Sequence, residues 1–379
     1  MADAQQSQRT TLDEAIRMAI DNSPRMKMAE GEIERNKAAR GEAWDGGNMQ
    51  LGYSWGQLNG EEHGDNEFTA EQSLGSLLTP FYKNALTKTM IAGSEKRRDM
   101  VRKEIAAEVK RAWTDYLLAL EVARLTASQE EQGARLRESA ELRLQQGDIN
   151  QLEYRMMTTM AADLHSKGLQ AEQELRMAGR RLAWACRAKG NLTPEDTVLT
   201  MSTFLPGSSL SQPHLGYFES MAKEKEDIVK VEKSRLFPEL SVGYSLQKIA
   251  PMTGLDSWSV GVSFPLLFMP HKSRVKQAKM EAVMAQWEAD DNRTALENKV
   301  EELRLQAVKQ AKTIEFYTTN ALKEAEELQR NALELYKESE TGIAELLQGL
   351  ASARDIRKAY LEAIHDYNVT MIELELYTE

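Results

Sequence analysis

The sequence predicts a mostly α-helical fold with a small β part, built from long coiled-coil helical hairpins and four short β-strands. Three observations predict it. The chain repeats itself once, in halves 1–200 and 201–379 whose alignable parts run roughly 11–200 and 211–379. Each half holds a helical stretch far longer than the average of about 11–12 residues. Each half also carries two short segments in which apolar and small polar residues alternate, which is the period of a strand.

In the first half, Asn22-Ser23-Pro24 opens a helical segment, because proline is tolerated in a first turn whose N–H groups lack partners. Strands follow at 49–57, with Leu51-Gly52-Tyr53-Ser54-Trp55, and at 66–74, with Phe68 to Leu74. Pro80 then opens a helix to position 146, a length of about 100 Å. It stops at Gly147-Asp148-Ile149-Asn150, and a return helix runs to position 188. The stretch Gly190 to Gln212, rich in Pro, Gly, Ser and Thr, reads as a connector. The second half repeats the order: Ser211-Gln212-Pro213, strands at 239–248 and 257–266, and a long helix from Pro270 to 341. Thr341-Gly342-Ile343-Ala344 forms its turn, and a last helix reaches the C-terminus. Gly147 and Gly342 are expected to relieve the backbone at the two helix ends. Ile149 and Leu152 match Ile343 and Leu346.

The long helices carry narrow apolar stripes, Ile105, Val109, Ala112, Trp113, Tyr116, Leu117 and Leu120 in one, and Val300, Leu303, Ala307, Ile314, Tyr317 and Leu322 in the other. Glu, Lys, Arg and Gln fill the remaining faces, the pattern of coiled-coil-like helices with water on much of their surface. Such stripes leave little to cover a sheet. Yet Leu240, Val242, Tyr244 and Leu246 alternate with Ser241, Gly243, Ser245 and Gln247, and Trp258, Val260, Val262 and Phe264 alternate with Ser259, Gly261 and Ser263. Lipid is the better partner for that apolar face, and a water-filled lumen for the other. Trp55, Phe68, Trp258 and Phe264 are expected near strand ends, where interfacial belts form.

Four strands per chain cannot close in lipid, since open edges would leave N–H and C=O groups unsatisfied. Three chains would give twelve transmembrane strands and room for a channel, where two would give a side-chain-filled barrel of eight. The same threefold symmetry would gather the helices into an α-barrel. If Phe68, Ala70 and Leu74 face lipid, then Glu67, Thr69, Glu71 and Ser73 face the lumen, and symmetry turns each glutamate into a ring that favours cations. The alternative puts the glutamates in a surface loop beside Glu61, Glu62 and Asp65.

Composition excludes other classes. A formal net charge of −11 and pI near 5.3 leave no basic face for nucleic acid. Mean hydropathy is −0.54, and no apolar run approaches a spanning helix, which says nothing against β-strands. Cys186, the single cysteine, allows no intrachain disulfide and reads as a packed residue near Leu182 and Trp184. His63, His165, His214, His271 and His365 are isolated, and Met156, Met157 and Met160 read as packing, so no metal site and no cofactor are expected. No triad, phosphate loop or catalytic carboxylate pair appears, and Glu324, Glu326 and Glu327 read as a solvated face, so the chain is not expected to be an enzyme. The polar start Met1-Ala2-Asp3-Ala4-Gln5-Gln6 lacks the apolar core of an export signal. Either the protein stays in the cytoplasm or its signal has been removed, and the strands favour the second.

Taken in order, Thr11-Leu12-Asp13-Glu14-Ala15, Asn22-Ser23-Pro24, Phe237-Pro238-Glu239-Leu240-Ser241-Val242-Gly243-Tyr244, Gly147-Asp148-Ile149 and Gly342-Ile343 give the sequence its resemblance to the TolC-like outer-membrane efflux family. Gly56-Gln57 and Leu77-Leu78-Thr79-Pro80 look most like the branch that partners heavy-metal pumps of the resistance-nodulation-division (RND) type. The resemblance implies a homotrimer in the outer-membrane lipid of a Gram-negative envelope, extending into the periplasm. An equatorial collar would come from 1–20, 189–215 and the C-terminus. Partners would be a periplasmic adaptor (membrane fusion protein) and an inner-membrane RND transporter, and the duct would pass heavy-metal cations or small toxic compounds. The periplasmic tip would comprise Gly147, Asp148, Ile149, Leu152, Gly342, Ile343, Glu345, Leu346 and Gln348. Glu345 and Gln348 fall at the family's two acidic gate positions, and Gln348 departs from the acid. The competing reading is a soluble periplasmic coiled-coil scaffold or adaptor, which would not need detergent.

Overall fold

A computed structural model describes residues 8–44, 47–57, 64–76, 78–190, 192–204, 207, 209–249, 252–264 and 268–378. The start at 1–6, Glu61, Glu62, His63, Leu77 and positions 265–266 lie outside the described residues. In chain order the elements are β1 (Gln8–Thr10), α1 (Leu12–Asn22), α2 (Pro24–Ala38), β2 (Met49–Gly56), β3 (Asp65–Gly75), α3 (Thr79–Gln146), α4 (Gln151–Ala185) and β4 (Leu192–Pro194). Then come α5 (Gln212–Ser234), β5 (Glu239–Ile249), β6 (Met252–Ser263), α6 (Phe268–Phe316), a π-helical turn (Tyr317–Ala321), α7 (Leu322–Lys337) and α8 (Ile343–Tyr377).

Packing divides the chain into two compact units, each drawing on both halves of the sequence. One comprises Met1–Met26, Val101–Ser211 and Leu296–Glu379, and the other Lys27–Met100 and Gln212–Ala295.

In the first unit, Thr11 caps α1: its Oγ1 accepts from the Glu14 N–H at 3.3 Å while Glu14 Oε2 accepts from the Thr11 N–H at 3.1 Å. Ala15 and Ala19 of α1 share one buried cluster with Ile105, Val109, Trp113 and Leu117 of α3, and Leu182 of α4, Ile314 and Ile364 are among its other members. Val300, Leu303 and Ala307 form another with Met371 and Leu374 of α8. The apolar stripes of the sequence are therefore the seams between helices. The unit also holds a parallel pair, β1 with β4, in the register Gln8↔Leu192 to Thr10↔Pro194, and a bridge between Leu210 and Thr378.

The second unit carries an antiparallel sheet in the order β2-β3-β5-β6. Its helical part is joined by polar contacts: Thr89 Oγ1 donates to Asp227 Oδ2 at 2.7 Å, and the Thr79 and Ser234 hydroxyls meet at 2.9 Å.

Four sequence expectations change. The second long helix does not run unbroken to 341: it passes through the π turn and ends at Lys337. Its end is closed by Ser339 rather than Gly342, as described below. β6 begins at Met252, earlier than expected, and takes Gly254 (φ +79°) into the strand. Trp258 consequently stands in mid-strand opposite Tyr244, and Phe264 lies past the strand end. Finally, the connector contains β4, whose three residues pair with a segment far away in sequence.

Candidate functional site

Two places carry the functional expectations, the sheet and the hairpin ends, and each is described within its own unit.

Strand register puts the apolar residues in continuous rows. Tyr53, Phe68 and Leu246 stand side by side with Asp256 ending their row, then come Leu51, Ala70, Tyr244 and Trp258, then Met49, Val242 and Val260 with the polar Gln72 among them. Tyr244 and Trp258 have ring centroids 5.1 Å apart. This face is bare within the chain: Leu51 is 63% exposed, Trp258 74% and Val260 76%. The opposite face is small and polar. Gly52 faces Thr69, Gly243 faces Ser259, and Gly261 faces Ser241. A Cβ on any of these glycines would come within 2.4–2.5 Å of the facing hydroxyl oxygen, so each hydroxyl occupies the space a side chain would need. Ser245 and Ser257 share a hydrogen bond at 2.9 Å. Glu67 and Glu71 both stand in the β3 ladder on this face. Glu67 Oε1 accepts from Gln247 Nε2 at 2.7 Å, and Glu71 is exposed between Gln50 and Gly243.

β3 and β5 are each 11 residues long and β6 is 12, matching the 9–11 or so that a tilted strand needs to cross a bilayer. Among the described residues β2 and β6 are the sheet's outer strands, each paired on one side only.

At the first hairpin end, Gly147 takes the left-handed conformation, φ +81°. The Asp148 N–H donates to the Arg143 carbonyl at 2.9 Å and the Gly147 N–H to Leu144 at 3.1 Å, closing α3 in a Schellman motif. Asn150 then caps α4, its Oδ1 accepting from the Leu152 and Glu153 N–H groups, while Glu153 Oε2 accepts from the Asn150 N–H. The second end repeats this with other residues. Ser339 (φ +62°) replaces the glycine: the Glu340 N–H donates to Leu335 at 2.9 Å and the Ser339 N–H to Tyr336 at 3.2 Å. Gly342, with φ −80°, is the N-cap of α8, and Glu345 Oε2 accepts from its N–H at 2.7 Å and from Thr341 Oγ1 at 3.0 Å.

The tip residues divide by exposure. Ile149, Ile343 and Leu346 are buried in one cluster with Ala140, Met157, Ala332 and Tyr336, which joins the two hairpins. Leu152 is 69% exposed, and Asp148, Glu345 and Gln348 are on the surface. α7 and α8 come close at Gly349, where an added Cβ would stand 3.0 Å from that of Ala332. The sequence marked Asn150 only as part of the turn, and its capping role, Glu153 and Ser339 were not expected. The Asn-x-x-Glu spacing is a capping-box signal that could have found the first two, whereas nothing local marks a left-handed serine.

Other candidates fall elsewhere. Met157 is fully buried in the tip cluster, with Met156 and Met160 packed beside it. Cys186 is buried, which pushes its thiol up to about 11. His165 contacts Glu130 at 2.6 Å. His365 lies between carboxylates, with Nε2 2.7 Å from Asp115 and Nδ1 3.2 Å from Asp366. Among the described residues no group of three or more His, Cys, Asp or Glu could hold a metal ion, and no helix is long and apolar enough to cross a membrane.

No family model matches the sequence, and no curated protein matches it either. Solved structures do match. CusC, in a structure concerned with folding and transmembrane channel formation, superposes with a TM-score of 0.83 at 16% identity over 98% of this chain and 93% of that one. This chain has the CusC fold. VceC, an outer membrane protein of Vibrio cholerae, gives 0.79 at 12% identity over 96% and 94% of the two chains. The CmeC outer membrane channel of Campylobacter jejuni gives 0.76 at 13% over 96% and 84%. At these identities the likeness is one of fold alone.

Proposed function

We propose that this chain is one protomer of a trimeric, passive export duct of the TolC-like family in the outer membrane. The observation that carries the reading is the four-stranded sheet whose apolar face is bare while its opposite face is lined by hydroxyls and two glutamates. Water would penalise that face, at about 25 cal/mol for each Å² of apolar surface left uncovered, and lipid removes the penalty. The outer edges of β2 and β6 then need partners, and neighbouring copies supply them, the β6 edge of one against the β2 edge of the next. The fold shared with the CmeC outer membrane channel and the outer membrane protein VceC points the same way.

In this reading Glu67 and Glu71 face the conduction path. Glu345 and Gln348 stand at the periplasmic constriction, and the exposed Leu152 is the tip residue best placed to meet a periplasmic adaptor. Cargo would be heavy-metal cations or small toxic compounds delivered by an inner-membrane RND pump. The chain performs no chemistry: the pump supplies energy and the duct supplies the path.

The test is assembly and conduction. Purified in detergent, the protein should hold three chains per particle and form ion-conducting openings in planar bilayers. A monodisperse monomer that stays soluble without detergent would end the duct reading in favour of a scaffold.

A further inference from the structure

Close to the hairpin ends, the first unit contains an open cavity of about 630 Å³ between α3 and α4 on one side and α7 and α8 on the other. That is the size of a site for a small organic molecule, about 300–1,000 Å³. Its walls include two small residues, Gly133, whose absent side chain is replaced by Leu164 Cδ1 2.7 Å from where a Cβ would stand, and Ala351. The floor is apolar, with Leu136, Met156, Met160, Leu164, Leu347 and Leu350.

The charged groups around this floor do not balance. Three guanidiniums line the cavity, Arg155 from α4 and Arg354 and Arg357 from α8, the last two on one helix face. Arg354 is held by Asp355 through Nε at 3.0 Å. Among the described residues, no carboxylate is within ion-pair distance of Arg155 or Arg357. Asp163 is the sole carboxylate in the described lining, and Lys167 Nζ already engages it at 2.6 Å. A cation is repelled by such a wall, and a neutral apolar molecule leaves the guanidiniums unused.

We propose that this cavity binds an amphipathic organic anion, an apolar ring or chain body carrying a carboxylate, sulfate or sulfonate head. The body would rest on the leucine and methionine floor. The planar guanidiniums would meet the head oxygens in paired hydrogen bonds, the arrangement in which arginine recognises oxyanions best. Because both hairpins form the walls, the occupant would touch α4 and α8 together and link one hairpin to the other. The proposal rests on the cavity alone and does not depend on the duct reading.

The full chain in a neutral maltoside detergent, with a detergent blank, is titrated with 8-anilinonaphthalene-1-sulfonate and with N-phenyl-1-naphthylamine, which has the same rings without the sulfonate. The expected result is saturable binding of one sulfonate per chain, at least tenfold tighter than the neutral compound. An Arg155→Gln, Arg357→Gln double variant should lose that preference while keeping its affinity for the neutral compound. Ala351→Trp, which places an indole in the cavity and narrows it, should weaken binding of both. Equal affinity of the parent for the two compounds, a preference that survives the double variant, or full binding by a helical Ala351→Trp protein would each overturn the proposal. Absence of saturable binding to the parent would also overturn it.

Discussion

Replacing Leu346 by alanine tests whether the hairpin ends are held together by their own core. Leu346 has no exposed surface and packs with Ile149, Ile343, Ala332 and Tyr336 from both hairpins. Truncating a leucine so enclosed costs about 2–5 kcal/mol, the loss of transfer energy plus that of the cavity left behind. At about 1.4 kcal/mol per tenfold, the local opening equilibrium should rise from about thirtyfold to a few thousandfold. Amide hydrogen exchange followed by mass spectrometry reads this directly. Peptides from 332–350 and 140–157 should lose protection, and those from β5 and β6 should not, since opening is local to one cooperative region. Leu152→Ala is the control, because at 69% exposure its truncation should change stability by no more than about 0.5 kcal/mol. If the duct reading holds, this control should keep its protection and lose export, as expected of a residue that meets a partner. Unchanged exchange in Leu346→Ala, or an equal rise in Leu152→Ala, would refute the division of the tip into core and contact residues.

Other outcomes follow from the same geometry. Gly147→Ala forces a side chain into left-handed backbone and should destabilise the first hairpin end by about 1–2 kcal/mol, whereas Ser339→Gly should stabilise the second, both read by exchange at the turns. Hydrogen bonding to Asp115, opposed by burial and aided by Asp366, holds the His365 imidazole above its ordinary pKa. Its stabilising effect is therefore complete below the unfolded value of about 6.5 and disappears as pH rises through the raised folded value. Thermal unfolding should accordingly fall between mildly acidic and mildly alkaline pH in the parent, and a His365→Gln variant should flatten that slope. In planar bilayers under a salt gradient, Glu67→Gln with Glu71→Gln should lower cation preference, with a smaller effect at high salt as screening shortens to about 3 Å. An unaltered reversal potential at low salt in a conducting variant would put both residues outside the path.

Much of the fold was legible because its signals are periodic. Alternation along Leu240 to Leu246 and Trp258 to Val262 identifies β5 and β6, and the register confirms that the alternating residues share a face. The stripes from Ile105 to Leu117 and from Val300 to Ile314 are the buried seams. What escaped was set by distant or non-repeating contacts. β1 is three polar residues whose only strand character comes from pairing with β4. Ser339 adopts its backbone because two hydrogen bonds close the helix there, while Gly342, the better local candidate, is taken up as a cap for α8. Ile149 and Leu152 sit three residues apart and read alike in sequence, yet one is buried and the other exposed, because only Ile149 finds a partner on the second hairpin.

The π turn at Tyr317–Ala321 has a consequence for how this helix keeps its partners. Before it, Val300, Ala307 and Ile314 are buried at intervals of seven, the interval at which coiled-coil seams recur. After it, Ala325 and Ala332 are again seven apart, but counting on in sevens from Leu303 would give 324 and 331, so the later frame is one residue late. Tyr336 is late by the same one residue against the frame of Ile314. A π turn bonds to the fifth residue instead of the fourth and so holds one residue more than the α-helix around it. The extra residue is taken up in that turn, much as a frameshift is confined when the frame is restored just downstream. Each stretch can thus keep the same side toward its neighbours, and the helix can carry an odd residue without exposing its seam to water.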